Sequence, residues 1–189
     1  MIDLLTLHKQ FMTPHIKPGD TVADFTMGNG HDTLWLSQTV GPEGHVYAFD
    51  IQQQALDSTR GLLEAEGAPN NYTLIKDSHA NALEHIPTKI KAGMFNLGYL
   101  PGGDKSITTL RESTLKAVDA AIELLDDDGI ILIAVYPGHD EGTVEGQLLH
   151  EKLSQISRFK LCISQFKIIN SPTSPFFFII ESKKKKQAL

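Results

Sequence analysis

The chain has 189 residues, 41% of them hydrophobic, and a formal net charge of −6 with histidine neutral. This length suits one domain with a single core, and the presence of one cysteine, Cys162, excludes an internal disulfide and a cysteine metal site. The sequence has neither a signal-peptide pattern nor an apolar stretch of about 20 residues, so we expect a soluble, cytoplasmic protein without a membrane partner.

The predicted secondary structure alternates between helix and strand along most of the chain. Apolar residues at helical spacing predict a leading helix over residues 3 to 16, and Pro18-Gly19-Asp20 then turns the chain. Strands are predicted at residues 21 to 26, 45 to 50, 72 to 76, 92 to 97 and 129 to 136. Further helices are predicted at residues 32 to 39, 52 to 66, 81 to 84, 105 to 125 and 142 to 157. This alternation predicts a parallel sheet with helices on both faces.

The last part of the domain has a different pattern. Two strand-like runs, residues 161 to 169 and 176 to 181, are joined only by residues 170 to 175. So short a linker cannot carry the helical crossover that parallel neighbours need, and the two strands should form an antiparallel hairpin. We therefore predict an α/β, Rossmann-like domain over residues 1 to 182, with a seven-stranded, mostly parallel sheet.

A basic tail, residues 183 to 189, follows the domain and begins with four lysines. Without those four positive charges the rest of the chain carries −10, which is −6 minus 4. The tail is either a solvated chain end or a segment that steers RNA. Phosphate contacts weaken as salt rises, so the salt dependence of RNA binding separates the two alternatives.

The most informative segment is the glycine-rich turn in VADFTMGNGHDT, residues 22 to 33. Gly28 and Gly30 can adopt backbone angles closed to other residues and leave bare backbone for a ligand. A dinucleotide motif G-x-G-x-x-G would need glycine in place of Thr33, and the phosphate-binding pattern G-x-x-x-x-G-K-[ST] is absent. A ligand bound mainly through phosphate is therefore not expected.

Three acidic residues end the first three predicted strands: Asp24, Asp50 and Asp77. Ligands of open parallel sheets bind at this carboxyl edge. The pattern D-x-T-x-G-x-G, followed by an acid at the end of the next strand, resembles the first motifs of the Rossmann-like methyltransferases that use S-adenosylmethionine (SAM). The resemblance implies SAM as the cofactor and the following set of contacting residues: Asp24, Gly28, Asn29, Gly30, His31, Asp32, Asp50, Gln52, Asp77, Ser78, His79 and Asn96.

The resemblance gives two of these acids distinct roles. Asp50, with Gln52 shortly after it, would accept hydrogen bonds from the ribose hydroxyls, unless Asp50 is only a polar strand end. Asp77, followed by Ser78 and His79, would accept a hydrogen bond from the exocyclic amine of adenine. The alternative is that Asp77 or Ser78 caps the short helix that begins near His79.

The start of the helix after the glycine turn has two interpretations. Asn29 with Asp32 three residues later resembles a capping box. In the functional alternative, the region of Asn29 and His31 contacts the methionine end of SAM, and the two roles can coexist. Lys9 is expected either to pair with the carboxylate of that methionine or to be a solvated charge.

The loop after the fourth strand, FNLGYLPGGDK, begins at Phe95. In SAM enzymes that methylate amines, the matching segment reads Asn-Pro-Pro-Tyr or similar. There, the Asn oxygen and a main-chain carbonyl accept hydrogens from the target nitrogen, and the Tyr packs on the base. Asn96 and Tyr99 keep the two ends, whereas Leu97 and Gly98 replace the prolines. The resemblance thus implies Asn96 and Tyr99 as catalytic residues, with Tyr99 also binding substrate; the alternative is a turn with an incidental aromatic residue.

Residues after the fifth strand should line the substrate side of the pocket. Tyr136 is predicted to stack on an unstacked nucleobase, or else to close the edge of the core, and His139 lies nearby. His31, His79 and His139 are alternative proton acceptors, and nothing in one sequence ranks them. The eight histidines lack metal-ligand spacing, so zinc is not expected. The linker of residues 171 to 175 either borders the substrate or only connects the hairpin.

Three segments, DFTMGNGHDT, NLGYLPGGDK and YPGHDEG, and the Ser-Pro pair near Pro175 together resemble the small bacterial rRNA methylase family. The resemblance implies a tRNA methyltransferase that converts 5-aminomethyl-2-thiouridine at the wobble position to its 5-methylaminomethyl form, with the tRNA anticodon region as partner. The alternatives are an rRNA or small-amine methyltransferase and a non-catalytic SAM-binding or RNA-binding protein. An NAD-dependent oxidoreductase is disfavoured by Thr33. The sequence leaves the oligomeric state open, a homodimer included.

Overall fold

The fold was analysed in a computed structural model, which describes residues 4–98, 111–137 and 140–183. Helices α1 to α6 span Leu4–Met12, His31–Val40, Gln53–Ala65, Ala82–His85, Arg111–Leu124 and Asp140–Ser154. Strands β1 to β7 span Thr21–Asp24, His45–Asp50, Tyr72–Lys76, Ile90–Asn96, Leu125–Val135, Leu161–Phe166 and Phe176–Ser182. Two short 3-10 helices, Thr13–His15 and His79–Asn81, follow α1 and precede α4.

The described strands form one seven-stranded sheet in the order β3-β2-β1-β4-β5-β7-β6. Strands β1 to β5 are parallel, and β7 pairs antiparallel with both β5 and β6. The predicted α/β fold and its terminal antiparallel hairpin are confirmed. Because β1 to β5 run in one direction, their carboxyl ends meet at a single edge of the sheet.

The sheet is covered on both faces by apolar helix surfaces. One core cluster joins inward side chains of the strands to α4, α5 and α6. Other clusters on the opposite face join the alternate strand residues to α1, α2 and α3. Side chains of successive strand residues point to opposite faces, so strands buried on both sides are continuously apolar, as Ile130 to Val135 are. The core thereby fixes the positions of the strand ends.

Two predicted boundaries are wrong by four residues, for local reasons, and other ends within the described residues differ by less. The leading helix ends at Met12 and continues only as a 3-10 turn, because Pro14 cannot continue an α-helix. Strand β5 begins at Leu125 rather than at 129, but the three aspartates at 126 to 128 form an irregularity within it. The register with β4 shifts between the pairs Ile90–Leu125 and Ala92–Ile130, and Asp128 has φ of 60°. Lys91 compensates these acids: its Nζ donates to the carbonyl of Asp127 at 2.5 Å and pairs with Asp126 at 3.5 Å.

The hairpin places the connection after Phe166 and the side chain of Cys162 at opposite ends of the strands. Strand β6 is parallel to β5 across β7, so the connection after Phe166 lies at the carboxyl edge, where Phe176 pairs with Val135. Cys162, near the start of β6, is exposed and lies toward the other edge. There, Lys183 packs 5.7 Å from the ring of Phe159, whereas Lys184 to Lys186 of the tail are outside the described residues.

Among the residues that the structure describes, no helix is long and apolar enough to cross a membrane.

Candidate functional site

Asp24 stabilises the glycine turn from its buried side. Its side chain is 1% exposed, and it accepts hydrogen bonds from the Thr26 amide at 3.1 Å and from the Thr33 hydroxyl at 2.7 Å. Burial raises the pKa of Asp24 to about 7, and the nearby charge of Asp32 adds to the rise. Asp24 therefore holds the turn to the start of α2, and at neutral pH its carboxyl group is partly protonated.

Gly30 is required by the geometry of the turn. It is the N-cap residue of α2 and has φ of 85°, in the left-handed region. A Cβ atom at this position would lie 2.8 Å from the hydroxyl oxygen of Thr59 and 2.9 Å from its Cα. The hydroxyl of Thr59 also donates to the carbonyl of Gly28 at 3.1 Å. Helix α3, which contains Thr59, thus packs directly against the turn and sets its shape.

The capping-box interpretation of Asn29 with Asp32 is wrong. The N-cap residue is Gly30, which makes no side-chain cap hydrogen bond, and α2 begins at His31. Asn29 and His31 lie at the predicted place, between β1 and α2 at the carboxyl edge of the sheet. Their contact with the methionine end of SAM stays a prediction.

Asp50 ties two loops of the carboxyl edge together. One carboxylate oxygen accepts the amide N–H of Gly28 at 3.1 Å, and the other accepts that of Gln52 at 2.9 Å. Each oxygen keeps a further lone pair, so the carboxylate can still accept two hydroxyl groups from a vicinal diol. Ile51, the next residue, is 55% exposed and offers an apolar surface beside this carboxylate.

The third predicted group, Asp77 and Ser78, makes its hydrogen bonds with residues that follow it closely in the chain. The carboxylate of Asp77 accepts from His85 at 2.8 Å and from Asn81 at 3.1 Å. The hydrogen bond with His85 lowers the pKa of Asp77, and that with Asn81 adds to this effect. Ser78 accepts the Ala80 amide at 3.3 Å and so caps the 3-10 helix, which confirms the capping alternative for Ser78. The contact of Asp77 with adenine stays a prediction.

His79 lies in the core. It is 8% exposed, its Nδ1 is 2.9 Å from the carbonyl oxygen of Phe25, and its ring lies 5.9 Å from that of Phe95. Because a carbonyl only accepts hydrogen bonds, Nδ1 carries the proton. Burial lowers the pKa of His79, so the ring is neutral at physiological pH. The structure therefore gives His79 a packing role that the sequence did not reveal.

Asp32 is the centre of a charged cluster that joins α1 to α2. Its Oδ1 lies 3.2 Å from Lys9 Nζ and 3.4 Å from His8 Nε2, and His8 is 3% exposed. Burial opposes ionisation of Asp32, but the contacts with His8 and Lys9 outweigh it and lower the pKa of this carboxyl group. Lys9 is thus neither a free solvated charge nor directed only at a ligand, because it pairs with Asp32.

Asn96 ends β4 and is bound at three points. Its main-chain N–H donates to the Thr26 hydroxyl at 2.7 Å, and its Nδ2 donates to Asp32 Oδ2 at 2.5 Å. Its Oδ1 accepts from the hydroxyl of Tyr136 at 3.2 Å. Burial raises the pKa of Tyr136, so its hydroxyl stays protonated and can donate. The structure therefore brings Asn96, Asp32 and Tyr136, which are distant in sequence, into direct contact.

Two predicted residues lie outside the described part of the chain, namely Tyr99 and His139. Sequence reasoning missed three others at this edge: His8, Thr26 and Ile51. The sequence signal for Ile51 was an apolar residue directly after Asp50 at a strand end. The structure adds that its side chain is exposed, which is unexpected for an apolar residue. Thr26 is the threonine of the D-x-T-x-G-x-G pattern, but its hydrogen bond with the main chain of Asn96 is formed only in the fold. His8 carries no sequence signal, because its contact with Asp32 also depends on the fold. No group of acidic, histidine or cysteine side chains that could hold a metal ion occurs within the described residues.

Backbone, carboxylate and amide groups lie together at one edge of the sheet. The carboxylate of Asp50 is bound to the amides of Gly28 and Gln52 and keeps further lone pairs. The amide of Asn96 lies across β1 from Asp50, at the end of β4. A fixed carbonyl oxygen of this kind accepts a hydrogen bond from an N–H or O–H group, and so can orient a nucleophile.

The comparisons with known proteins agree with this geometry. The family described as "Putative rRNA methylase" matches residues 46–181. A chloroplastic tRNA (mnm5s2U34)-methyltransferase from Arabidopsis thaliana is 39% identical over 170 residues, which cover 85% of this chain and 62% of the plant protein. The chain thus spans about three fifths of the length of that curated relative.

Two solved structures are similar over nearly their whole length. The crystal structure of an rRNA methylase from Clostridium thermocellum has a TM-score of 0.93 and 39% identity, with 96% of this chain and 98% of that chain covered. A methyltransferase from Streptococcus mutans, solved in complex with SAH, has a TM-score of 0.87 and 32% identity. The comparison covers 96% of this chain and 99% of that one.

Proposed function

The chain belongs to the rRNA methylase family of SAM-dependent methyltransferases, and we propose that it methylates the amine of 5-aminomethyl-2-thiouridine at the wobble position of tRNA. The relative from Arabidopsis thaliana, whose name specifies a modified uridine at position 34 of tRNA, supports this substrate. The observation that carries the proposal is the side chain of Asn96, whose carbonyl oxygen is held at the carboxyl edge of the sheet. RNA is the macromolecular partner, and the anticodon region is the part that the site would contact.

The residues present fit SAM as the cofactor. The carboxylate of Asp50 is anchored by two backbone N–H groups, from Gly28 and Gln52, and keeps lone pairs suited to a ribose diol. Ile51 supplies an exposed apolar surface next to this carboxylate, which suits an adenine face. The turn around Asn29 and its neighbours would meet the methionine end. SAM, when bound, supplies an activated methyl group on a sulfonium sulfur.

The contribution of the chain to the reaction is alignment. Asn96 Oδ1 would accept an N–H of the target amine and so direct the nitrogen lone pair away from Asn96. Proximity and orientation of this kind contribute several kcal/mol to a transfer step, on the order of the effects measured for well-aligned reactants. An amine must also be unprotonated to attack. The proton acceptor is not assigned to any residue.

Nucleoside mass analysis tests the substrate. tRNA from a strain that lacks the protein should lose 5-methylaminomethyl-2-thiouridine and accumulate the aminomethyl form, and purified protein with labelled SAM should restore the modification. In the same assay Asn96→Ala should reduce turnover by about 100-fold or more, because it removes the group that orients the nucleophile. The affinity for SAM, measured by calorimetry, should change less than threefold, roughly the effect of one weak contact.

Normal levels of the methylated nucleoside in the deletion strain would contradict the proposal. A second candidate is an RNA other than tRNA, favoured by the description of the matching family as an rRNA methylase. Transfer of labelled methyl groups to fractionated total RNA separates the two. Label in ribosomal RNA and none in tRNA would support the second candidate, and SAM binding without label transfer to any RNA would indicate a non-catalytic protein.

A further inference from the structure

The side-chain amide of Asn96 is held from both ends by residues of two other elements. Asp32, in α2, accepts from Nδ2 at 2.5 Å, and Tyr136, directly after β5, donates to Oδ1 at 3.2 Å. The main chain of Asn96 is itself fixed, because its N–H donates to the hydroxyl of Thr26 at 2.7 Å. These hydrogen bonds oppose rotation of the whole amide about the bond that joins it to Cβ.

The chemistry of Asp32 determines which end of the amide faces which partner. Its other oxygen, Oδ1, lies 3.2 Å from Lys9 Nζ and 3.4 Å from His8 Nε2, so positively polarised groups favour the ionised carboxylate. An ionised carboxylate only accepts hydrogen bonds. Asn96 must then turn its NH2 group toward Asp32, and its carbonyl oxygen must face Tyr136.

The hydroxyl of Tyr136 completes the arrangement as a donor. It occupies one of the two acceptor positions of Asn96 Oδ1 and leaves the second for another N–H. A hydroxyl that only packed against the core edge would not need to point at Oδ1. The ring of Tyr136 packs on the core cluster that contains Met94 and Ala134, which holds the hydroxyl in place.

We propose that Asp32 and Tyr136 are positioning residues that lock the side chain of Asn96 with its oxygen toward the target nitrogen. This inference rests on the proposed methyl transfer to an amine, and it deepens that proposal. A fixed acceptor selects a nucleophile that carries an N–H, and it disfavours an unprotonated ring nitrogen, which offers only a lone pair. Helix α1 supports the same arrangement, because its residues Lys9 and His8 contact Asp32.

Two conservative substitutions test the lock separately. Tyr136→Phe removes the hydroxyl and keeps the ring, and Asp32→Asn removes the charge and keeps the shape. In single-turnover assays with tRNA from the deletion strain at saturating SAM, Tyr136→Phe should slow transfer about 3- to 10-fold, the effect of one neutral hydrogen bond. Asp32→Asn should slow it about 10- to 100-fold, because a charge-assisted bond is lost and the amide of Asn96 can reverse.

Matched controls and a readout other than activity separate positioning from folding. Tyr72→Phe, at the start of β3, and Asp57→Asn, on the exposed surface of α3, should leave the rate unchanged. The Nδ2 amide resonances of Asn96, identified by their loss in Asn96→Ala, should shift in the 15N spectrum of ligand-free Asp32→Asn and Tyr136→Phe protein. They should not shift in the two controls.

Each outcome decides one of the two proposals. Wild-type protein that transfers no methyl group to tRNA overturns the proposed function, whatever the variants do. Active wild-type protein together with Tyr136→Phe and Asp32→Asn variants that keep the wild-type rate and the wild-type amide resonances overturns the lock. A slowed rate with unshifted resonances also overturns it, because the residues would then act without holding Asn96.

Discussion

Replacing Asp24 with asparagine tests the electrostatics beneath the glycine turn. The carboxyl group is buried, and burial raises its pKa from 3.8 to about 7 with help from the charge of Asp32. Asparagine is neutral and can keep both local contacts. Its oxygen accepts the N–H of Thr26, and its NH2 group donates to the hydroxyl oxygen of Thr33.

The sign of the effect follows from proton binding. Between pH 3.8 and about 7 the folded protein holds a proton on Asp24 that the unfolded chain has released. The free energy of unfolding therefore falls as pH rises, by about 1.4 kcal/mol per pH unit, and the fall ends once the pH passes the pKa of the folded state. Integrated from pH 5 to 8, the loss amounts to about 2–3 kcal/mol. The Asp24→Asn variant lacks this contribution.

Urea unfolding of both proteins at several pH values from 5 to 8 measures the difference directly. The free energy of unfolding of wild-type protein, minus that of Asp24→Asn, should decrease by about 2–3 kcal/mol across this range. Asp57→Asn, whose side chain is 60% exposed, is the control and should give a constant difference. A difference for Asp24→Asn that stays constant within about 0.5 kcal/mol would refute the reasoning, because Asp24 would then titrate alike in both states.

Two further predictions concern the same edge of the sheet. Asp50→Asn should weaken SAM binding about 10- to 100-fold in calorimetric titration, because an amide cannot accept the N–H groups of both Gly28 and Gln52; an affinity within twofold of wild type would contradict the role of this carboxylate. Gly30→Ala should lower the free energy of unfolding more than Gly67→Ala does, since Gly67 shares a positive φ of 61° but has open space where a Cβ would lie. We expect about 1–2 kcal/mol for Gly67→Ala from backbone strain alone, and equal losses for the two variants would contradict the close packing at Gly30.

The order of elements could be predicted from sequence because each depends on local pattern. The continuous apolar run in β5 and the short linker before β7 are both visible along the chain, and both were interpreted correctly. The start of β5 could not be predicted, since Asp126 and its two acidic neighbours favour a turn. At this irregular start of β5, Lys91 of β4 contacts Asp126 and Asp127, and no local window of the sequence contains both partners.

The candidate site shows the same limit more strongly. Asp50 and Gly28 were expected at the carboxyl edge because they lie at or just after the ends of predicted parallel strands, and the structure joins them by a hydrogen bond. Tyr136 was expected to stack on a base or to close the edge of the core, and the sequence did not reveal that its hydroxyl donates to Asn96, 40 residues earlier in the chain. Lys9 was considered as a solvated charge or a ligand contact. Its pairing with Asp32 could not be predicted, because Asp32 belongs to another helix.

The position of Cys162 gives this protein a practical advantage for measuring RNA engagement. It is the one cysteine of the sequence and is exposed on the outermost strand, toward the end remote from Asp50 and Asn96. A maleimide fluorophore or a nitroxide spin label can therefore be attached at a single known point of the natural sequence. On adding tRNA, a change in the anisotropy of the fluorophore or in the mobility of the spin label would then report complex formation. The reactive edge of the sheet stays chemically untouched.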